Sequence, residues 1–171
     1  MPNLERRIRG WTGFFIAGLV LSGATAIPII TQVRAGEQIL GEDFTAGGFV
    51  PDWASGWLRT VRDGLVLAEA EAPFLYYGTD WLAFGHFMIA LAFVGALRDP
   101  VKNRWLFQYG MLACLLVPPY ALVFGHIRGI PLWWRAIDAS FGVFGFIPVW
   151  FCNKWAIQLE SERAGSTRCN G

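Results

Sequence analysis

Long apolar stretches separated by shorter polar segments dominate this sequence. A helix needs about 20 mostly apolar residues to cross ~30 Å of hydrocarbon. Four stretches approach or exceed this length, and each predicts a membrane-spanning helix: about 11–31, 81–97, 105–125 and 132–153. The pattern therefore predicts an all-α, multi-pass membrane protein, a four-transmembrane-helix bundle that forms a single membrane domain over residues 1–171.

Basic residues in the short polar segments predict how this bundle is oriented. Three precede the first predicted span and three separate the second from the third: Arg6, Arg7, Arg9, Arg98, Lys102 and Arg104. Short flanks rich in Lys and Arg stay in the cytoplasm. We therefore expect both termini inside (N-in/C-in), with a cytoplasmic tail over 154–171 and an outer loop over 32–80. Tryptophans near the span ends agree, because Trp prefers the membrane interface.

The long outer loop, residues 32–80, carries one more helical pattern. Apolar residues recur in it at every fourth position: Trp53, Trp57, Val61 and Leu65. This spacing predicts an amphipathic helix that opens with Asp52 as its cap and ends before Pro73. Residues 36–48 contain four glycines, so we expect this stretch to be flexible.

Composition supports a membrane protein and excludes several other classes. Hydrophobic residues make up 54% of the chain and charged residues 16%, whereas about 25% charged is typical of soluble domains. The formal net charge of +1 leaves no basic surplus for nucleic acid, so no nucleic-acid partner is expected. Three scattered cysteines do not form a disulfide scaffold. The expected partners are the lipid bilayer and either other membrane-protein subunits or further copies of this chain.

The first apolar stretch also has a second interpretation. The arginines before it and the sequence Ala24-Thr25-Ala26 resemble a signal peptide with its small-residue cleavage site. The apolar run continues through Ile30, which is longer than the core of a signal peptide and favours a span. Cleavage after this first segment stays open as the alternative.

Few polar side chains lie within the predicted spans, and intramembrane ionisable groups are often functional. These side chains are His86 in the second span, Asp138 in the fourth, and Ser22 and Thr25 in the first. At a rise of ~1.5 Å per residue, they lie about 18 to 24 Å above the inner end of the bundle, and the helix-disrupting Pro118 of the third span lies in the same range. We therefore expect one polar layer in the outer half of the membrane.

Charged residues near the outer rim extend this layer. Arg135 lies three residues before Asp138 on the same helix face, so the two can pair. The candidate ligand-binding site is an outward-facing polar pocket of eight residues: His86, Asp138, Arg135, Asp80, His126, Arg128, Ser22 and Thr25. The alternative is structural, with Arg135 reaching the interface and Asp138 neutralising it.

Catalytic residues cannot be assigned from these positions, and whether the chain is an enzyme stays open. His86 and His126 differ by ~15 Å in depth, which argues against a shared ion, so no metal site is predicted. The leading hypothesis is a non-enzymatic accessory or assembly subunit of a membrane complex, or a binder of a lipid-like or quinone-like ligand. The alternative is a haem- or metal-linked redox membrane enzyme that uses His86, so haem and quinone both stay open as cofactors.

Two sequence segments carry a resemblance. Residues 77–86 read YGTDWLAFGH, and residues 128–131 read RGIP and are followed by WRAID at 134–138. Together they resemble small bacterial four-helix inner-membrane proteins that carry no assigned activity, and the resemblance covers about 76–150. It implies a bacterial inner (cytoplasmic) membrane location, and it implies no substrate or cofactor.

Overall fold

The computed structural model describes the backbone of residues 2–169 and the side chains of residues 3–165. These residues form six α-helices, two short 3₁₀ turns and no strand, which confirms the predicted all-α class. The helices are α1 (Pro2–Ala26), α2 (Ile29–Leu40), α3 (Asp52–Glu71), α4 (Tyr76–Arg98), α5 (Arg104–Ile127) and α6 (Leu132–Cys169), and the turns are Ala46–Gly48 and Pro73–Leu75. Helix α6 thus continues into the predicted tail, whose residues 170 and 171 lie outside the described residues.

Several helices are suited to a membrane. Within the described chain, three segments are long and apolar enough to cross a bilayer, namely Pro73–Arg98, Arg104–Ile127 and Leu132–Gly165. A fourth span is added if the bent pair α1 and α2 is counted as one. Between 17% and 22% of the apolar window in the three segments is buried, so most of their surface is left for lipid or for partner helices.

The first predicted span is not one straight helix. Helix α1 ends at Ala26, and the axes of Asn3–Ala26 and Ile29–Leu40 meet at 82°. The intervening Pro28 explains the break, because proline lacks a backbone N–H and its ring disfavours helical geometry at the residue before it. The Gln32 side chain crosses the bend and donates to the Thr25 carbonyl at 2.7 Å. The prediction of a continuous helix over 11–31 is therefore wrong at its last turn.

Helix α3 matches the amphipathic helix predicted in the outer loop, since it ends at Glu71, before Pro73. Its cap differs from the prediction: Pro51 occupies the N-cap position and Asp52 lies in the first turn. Residues 36–48 are also more ordered than four glycines suggest, because they include the last turn of α2 and the 3₁₀ turn. Phe44 is only 3% exposed and anchors this stretch, with the Arg62 guanidinium 5.8 Å above its ring.

Ion pairs connect α2 to α3. Arg62 pairs with Glu37 at 2.9 Å and with its neighbour Asp63 at 2.8 Å. The hydrogen bonds that Arg62 donates to these carboxylates raise the pKa of its guanidinium above the ordinary arginine value, and the bond to Glu37 has the larger effect. Arg34 pairs with Glu69 at 2.6 Å. Such exposed pairs contribute little stability each, but together they fix the register of the two helices.

Contacts divide the chain into two compact units, Met1–Leu19 with Met88–Gly171, and Val20–Phe87. The first unit holds an apolar core drawn from four helices: Ile8, Phe93, Ala96, Leu106, Phe107, Val149, Cys152, Ala156 and Leu159. Thr12 is 1% exposed beside this core, with its hydroxyl oxygen 3.5 Å from the Cys152 sulfur. This contact satisfies the one polar side chain that α1 buries there.

Helices α5 and α6 meet at a glycine. Helix α5 runs through Pro118 and Pro119 without ending, although Pro118 has no N–H to offer the Cys114 carbonyl. Gly142 of α6 lies directly against this carbonyl, since a Cβ at position 142 would be 2.5 Å from the Cys114 oxygen. The absence of a side chain at Gly142 therefore sets how closely the two helices approach.

The turn between α4 and α5 is held by two polar side chains. The Asn103 amide donates to the Gly95 and Asp99 carbonyls at 3.0 and 3.1 Å, which caps the end of α4. The Asp99 carboxylate accepts from the backbone N–H groups of Val101 and Lys102, both at 3.2 Å. Partial burial of Asp99 opposes its ionisation, yet these hydrogen bonds and nearby cations hold its pKa below the ordinary value.

Substituting Gly142→Ala should weaken the contact between α5 and α6. The new methyl group would overlap the Cys114 carbonyl, and overpacking of this kind destabilises a protein by about 1 to 3 kcal/mol. Thermal unfolding of the purified protein in detergent measures the loss. Gly18→Ala is the matched control, because no atom lies within 4 Å of a Cβ there. Equal melting temperatures for the two variants would contradict the close approach at Gly142.

Substituting Asp99→Asn should lower stability at neutral pH by about 1 kcal/mol, because the neutral amide accepts the two N–H bonds less strongly. The pKa of Asp99 is lowered in the folded state, so its stabilisation is present above the ordinary aspartate pKa of about 4 and disappears as pH falls through the folded value. Unfolding curves of both proteins from pH 7 to 3 should therefore converge under acid. A constant difference over this range would contradict the assignment.

Candidate functional site

His86 lies on α4 and is partly exposed. Its Nδ1 atom is 2.8 Å from the carbonyl oxygen of Leu82, one turn earlier in the same helix. A carbonyl oxygen only accepts hydrogen bonds, so Nδ1 must carry the proton. In the neutral imidazole, Nε2 is then an acceptor and can receive a hydrogen bond or ligate a metal.

The end of α1 packs against α4 beside His86. A Cβ at Gly23 would be 2.9 Å from the Ala83 carbonyl oxygen and 3.1 Å from the Cβ of His86. The neighbouring Ser22 therefore lies level with His86 along α4, within the second unit. The Thr25 hydroxyl donates to the Ser22 carbonyl at 3.0 Å, so this predicted ligand residue also has a role in ending α1.

Asp80 occupies an exposed position on α4. It precedes His86 by six residues, which is ~9 Å along the helix axis. The Asp80 carboxylate makes no hydrogen bond or ion pair with another described residue. The second unit thus places an imidazole and a carboxylate on one helix, about a turn and a half apart.

The side chain of Arg135 in α6 reaches α5 and packs against Gly125. Its Nη1 atom donates to the Leu122 carbonyl at 3.1 Å. A Cβ at Gly125 would lie 2.5 Å from both Cγ and Cδ of Arg135, so only glycine leaves room for the arginine stem. The Nε atom of Arg135 is buried without a hydrogen-bond partner in the described chain. The guanidinium is therefore anchored on the neighbouring helix, with one donor left over.

Asp138 lies one turn after Arg135 and is partly buried. The ion pair that the spacing of these residues allows does not form, because the guanidinium is directed to the Leu122 carbonyl instead. Among the described residues, the Asp138 carboxylate has no hydrogen-bond or ion-pair partner. The first unit therefore contains a guanidinium with a spare donor and a carboxylate with spare acceptors in the first two turns of α6, at the start of a segment apolar enough to span a membrane.

His126 and Arg128 form the end of α5. The N–H of Gly129 donates to the His126 carbonyl at 3.1 Å, and the N–H of Ile130 donates to the Gly125 carbonyl at 2.9 Å. Gly129 has φ of 69°. These two bonds and the left-handed glycine define a Schellman cap, with Arg128 at the cap position. The side chains of His126 and Arg128 are exposed and make no bond to another described side chain.

Sequence reasoning missed the residues that position these groups. Gly125 makes space for the Arg135 stem, and Gln32 closes the bend after α1. A glycine near a helix end is a weak signal, because most helical glycines meet no neighbour that a Cβ would displace. Gln32 was assigned to the outer loop, and only the break at Pro28 gives its side chain a carbonyl to cap.

The described residues contain no group of three or more His, Cys, Asp or Glu that could hold a metal ion. Cys114 and Cys152 are buried free thiols, while the side chain of Cys169 lies outside the described residues.

The most developed candidate site is the Arg135–Asp138 turn of α6 with the α5 carbonyl that receives Arg135. It combines both charge signs within apolar helices, where ionisable groups are rare and mark functional positions. Comparison with known protein families, with curated proteins and with solved structures found no match for this chain.

Proposed function

We propose that this chain is a non-enzymatic accessory or assembly subunit of a membrane complex. It resides in a bacterial inner membrane as a four-span protein with both termini in the cytoplasm. Three apolar helices and the bent pair α1 and α2 supply the spans, and basic residues flank the first span and the turn between α4 and α5. This basic distribution supports the proposed orientation.

The observation that carries the proposal is the unpaired carboxylate of Asp138. An Asp at the centre of a spanning helix costs about 2.5 to 3.5 kcal/mol on insertion scales, and the cost is smaller toward the helix end, where Asp138 lies in the second turn of α6. Arg135, one turn away, is engaged by the Leu122 carbonyl at 3.1 Å and does not offset this cost by an ion pair. A hydrogen-bond donor or cation from outside the described chain would satisfy Asp138, and a partner helix can bring one to that depth.

The exposed surface of the spanning helices fits the same role. No more than 22% of the apolar window of any of the three spans is buried within the chain. The bulky residues left uncovered on α5 and α6 include Leu115, Leu116, Phe141 and Phe144. Apolar residues can face either lipid or protein, but the Asp138 carboxylate on the same helix as Phe141 and Phe144 needs a polar partner. A lipid-like or quinone-like ligand whose headgroup donates a hydrogen bond to Asp138 would meet the same need as a partner helix.

Substituting Asp138→Asn should weaken assembly with the partner. Removing one member of a buried charge pair costs about 3 kcal/mol or more, so recovery of the complex should fall at least tenfold. The measurement is quantitative mass spectrometry of proteins that co-purify with the tagged chain from gently solubilised membranes. Asp52→Asn, at an exposed position in the first turn of α3, is the matched control.

Circular dichroism of the purified Asp138→Asn and Asp52→Asn proteins provides the folding control. Equal recovery of the partner with both variants would refute the role proposed for Asp138. Loss of the partner with an unchanged helical spectrum would support it, because the substitution would then act on the complex rather than on the fold of the chain.

A redox function is the second candidate, and one observation favours it. The contact of Nδ1 with the Leu82 carbonyl leaves Nε2 of His86 as the ring atom that would hold a haem iron. The haem would supply electron transfer, and His86 would hold it at the level of Ser22. A purified protein with a Soret band that is lost in His86→Ala would favour this function, and a colourless preparation that retains a partner would favour the accessory role.

The tautomer of His86 can be tested in either case. We expect the neutral ring to carry its proton on Nδ1, because the Leu82 carbonyl can only accept. Imidazole ¹⁵N chemical shifts of the labelled protein at a pH where the ring is neutral report which nitrogen is protonated. His126→Gln removes the second histidine signal and serves as the assignment control. A proton found on Nε2 would contradict both the hydrogen bond and the ligand role of that atom.

A further inference from the structure

The start of α1 carries a shallow, open groove that is lined by both basic and aromatic residues. It is lined by Arg6, Arg7, Gly10, Trp11 and Phe14, which we call the arginine groove. All five lie on neighbouring rows of one helix face, since residues four apart follow each other along a helix. The groove therefore places two cations next to two aromatic rings.

The cations of the arginine groove differ from the other arginines nearby. Arg9 pairs with Glu5 at 3.1 Å, and Glu5 also lies 3.8 Å from Arg163. Arg6 and Arg7 are exposed and make no hydrogen bond or ion pair with another described residue. Two positive charges are thus left for a ligand, whereas the third is neutralised within the chain.

The apolar wall of the groove is exposed and fixed in place. Trp11 is 38% exposed and Phe14 67% exposed. The Trp11 ring packs edge-on to Phe14 at 6.3 Å and lies 5.9 Å from Phe151 of α6. Gly10 opens the groove between wall and cations, because no atom lies within 4 Å of a Cβ built there. A ligand that fits this surface has an anionic head and a hydrocarbon tail.

We propose that the arginine groove binds the headgroup of an anionic phospholipid from the surrounding bilayer. The lipid phosphate is held by the guanidinium groups of Arg6 and Arg7, which bind phosphate with matched fork geometry. One acyl chain runs past Gly10 along Trp11 and Phe14 toward the apolar part of α1. Trp11 marks the depth of the membrane interface, where such a headgroup lies.

Charge and position both favour a lipid over a soluble anion. Basic residues beside a membrane span attract anionic lipid, at about 1 kcal/mol for each Arg near the surface. A free anion would use the two cations but would gain nothing from Trp11 and Phe14. This lipid site does not depend on the role of Asp138, so either proposal can fail without the other.

Native mass spectrometry of the full chain in detergent tests the site. Dioleoylphosphatidylglycerol and dioleoylphosphatidylcholine are titrated separately, and dissociation constants are read from the bound and free peaks. We expect the unmodified chain to bind phosphatidylglycerol more tightly than phosphatidylcholine. Arg6→Gln and Arg7→Gln should each weaken phosphatidylglycerol binding about fivefold and leave phosphatidylcholine binding unchanged.

Arg9→Gln is the matched control, because it removes the same charge from the same helix but from an arginine that Glu5 already neutralises. Its effect on phosphatidylglycerol binding should stay within about twofold. Gly10→Leu keeps every charge and fills the groove, and it should weaken binding by obstructing the lipid. Circular dichroism verifies that each variant retains its helices.

Three outcomes would overturn the proposal. The first is equal binding of the two lipids by the unmodified chain. The second is an Arg9→Gln loss as large as that of Arg6→Gln and Arg7→Gln, which would indicate attraction by net charge alone. The third is unchanged phosphatidylglycerol binding in Gly10→Leu, which would show that the groove itself is not used.

Discussion

Three to four helices of the described chain are apolar enough to cross a membrane, and the absence of water in hydrocarbon is the constraint that such helices must meet. Every backbone polar group within a span must find a partner inside the protein. Prolines interrupt backbone hydrogen bonding locally, and at two of these places another residue of the chain lies against a backbone carbonyl. Gln32 donates to the Thr25 carbonyl across the bend at Pro28. Gly142 brings α6 onto the Cys114 carbonyl, which Pro118 deprives of its donor. The glycine contact thus allows close packing and also covers a carbonyl that receives no hydrogen bond from position 118.

The same constraint helps to distinguish charged side chains that form ion pairs within the chain from those that have no partner in the described chain. Some charged side chains near the helix ends are paired, as in Arg104 with Glu160 at 2.7 Å, whereas Arg6, Arg7 and Arg128 make no ion pair with another described residue. In the apolar part of α6, Arg135 is satisfied only in part, and Asp138 is not satisfied by any described residue. Asp138 thus combines an apolar surrounding sequence with the lack of a described partner, and this combination leaves its carboxylate available to a group from outside the described chain. This combination is why Asp138, rather than the more exposed Asp80, carries the proposed function.

Sequence reasoning reached the elements that depend on local pattern. Apolar length predicted the helices, and the four-residue spacing from Trp53 predicted α3 closely. It failed where the outcome depends on a neighbouring helix. The spacing of Arg135 and Asp138 allows an ion pair, but the space at Gly125 draws the arginine to the Leu122 carbonyl instead. No pattern within α6 reveals a glycine on α5 at the right height, so the partner of Arg135 could not be predicted.

The three arginines at the start of α1 are relevant to two proposals, the orientation of the chain in the membrane and the binding of a lipid headgroup. Counting charges treats Arg6, Arg7 and Arg9 alike, and all three enter the proposed orientation equally. Pairing separates them, since Arg9 is bound to Glu5 whereas Arg6 and Arg7 face an open aromatic groove. Orientation needs only that the charges stay on one side of the membrane, and it would be satisfied equally if all three were paired or solvated. The arrangement around the two unpaired arginines is therefore more specific than orientation requires, and a lipid headgroup is the anion that this depth supplies.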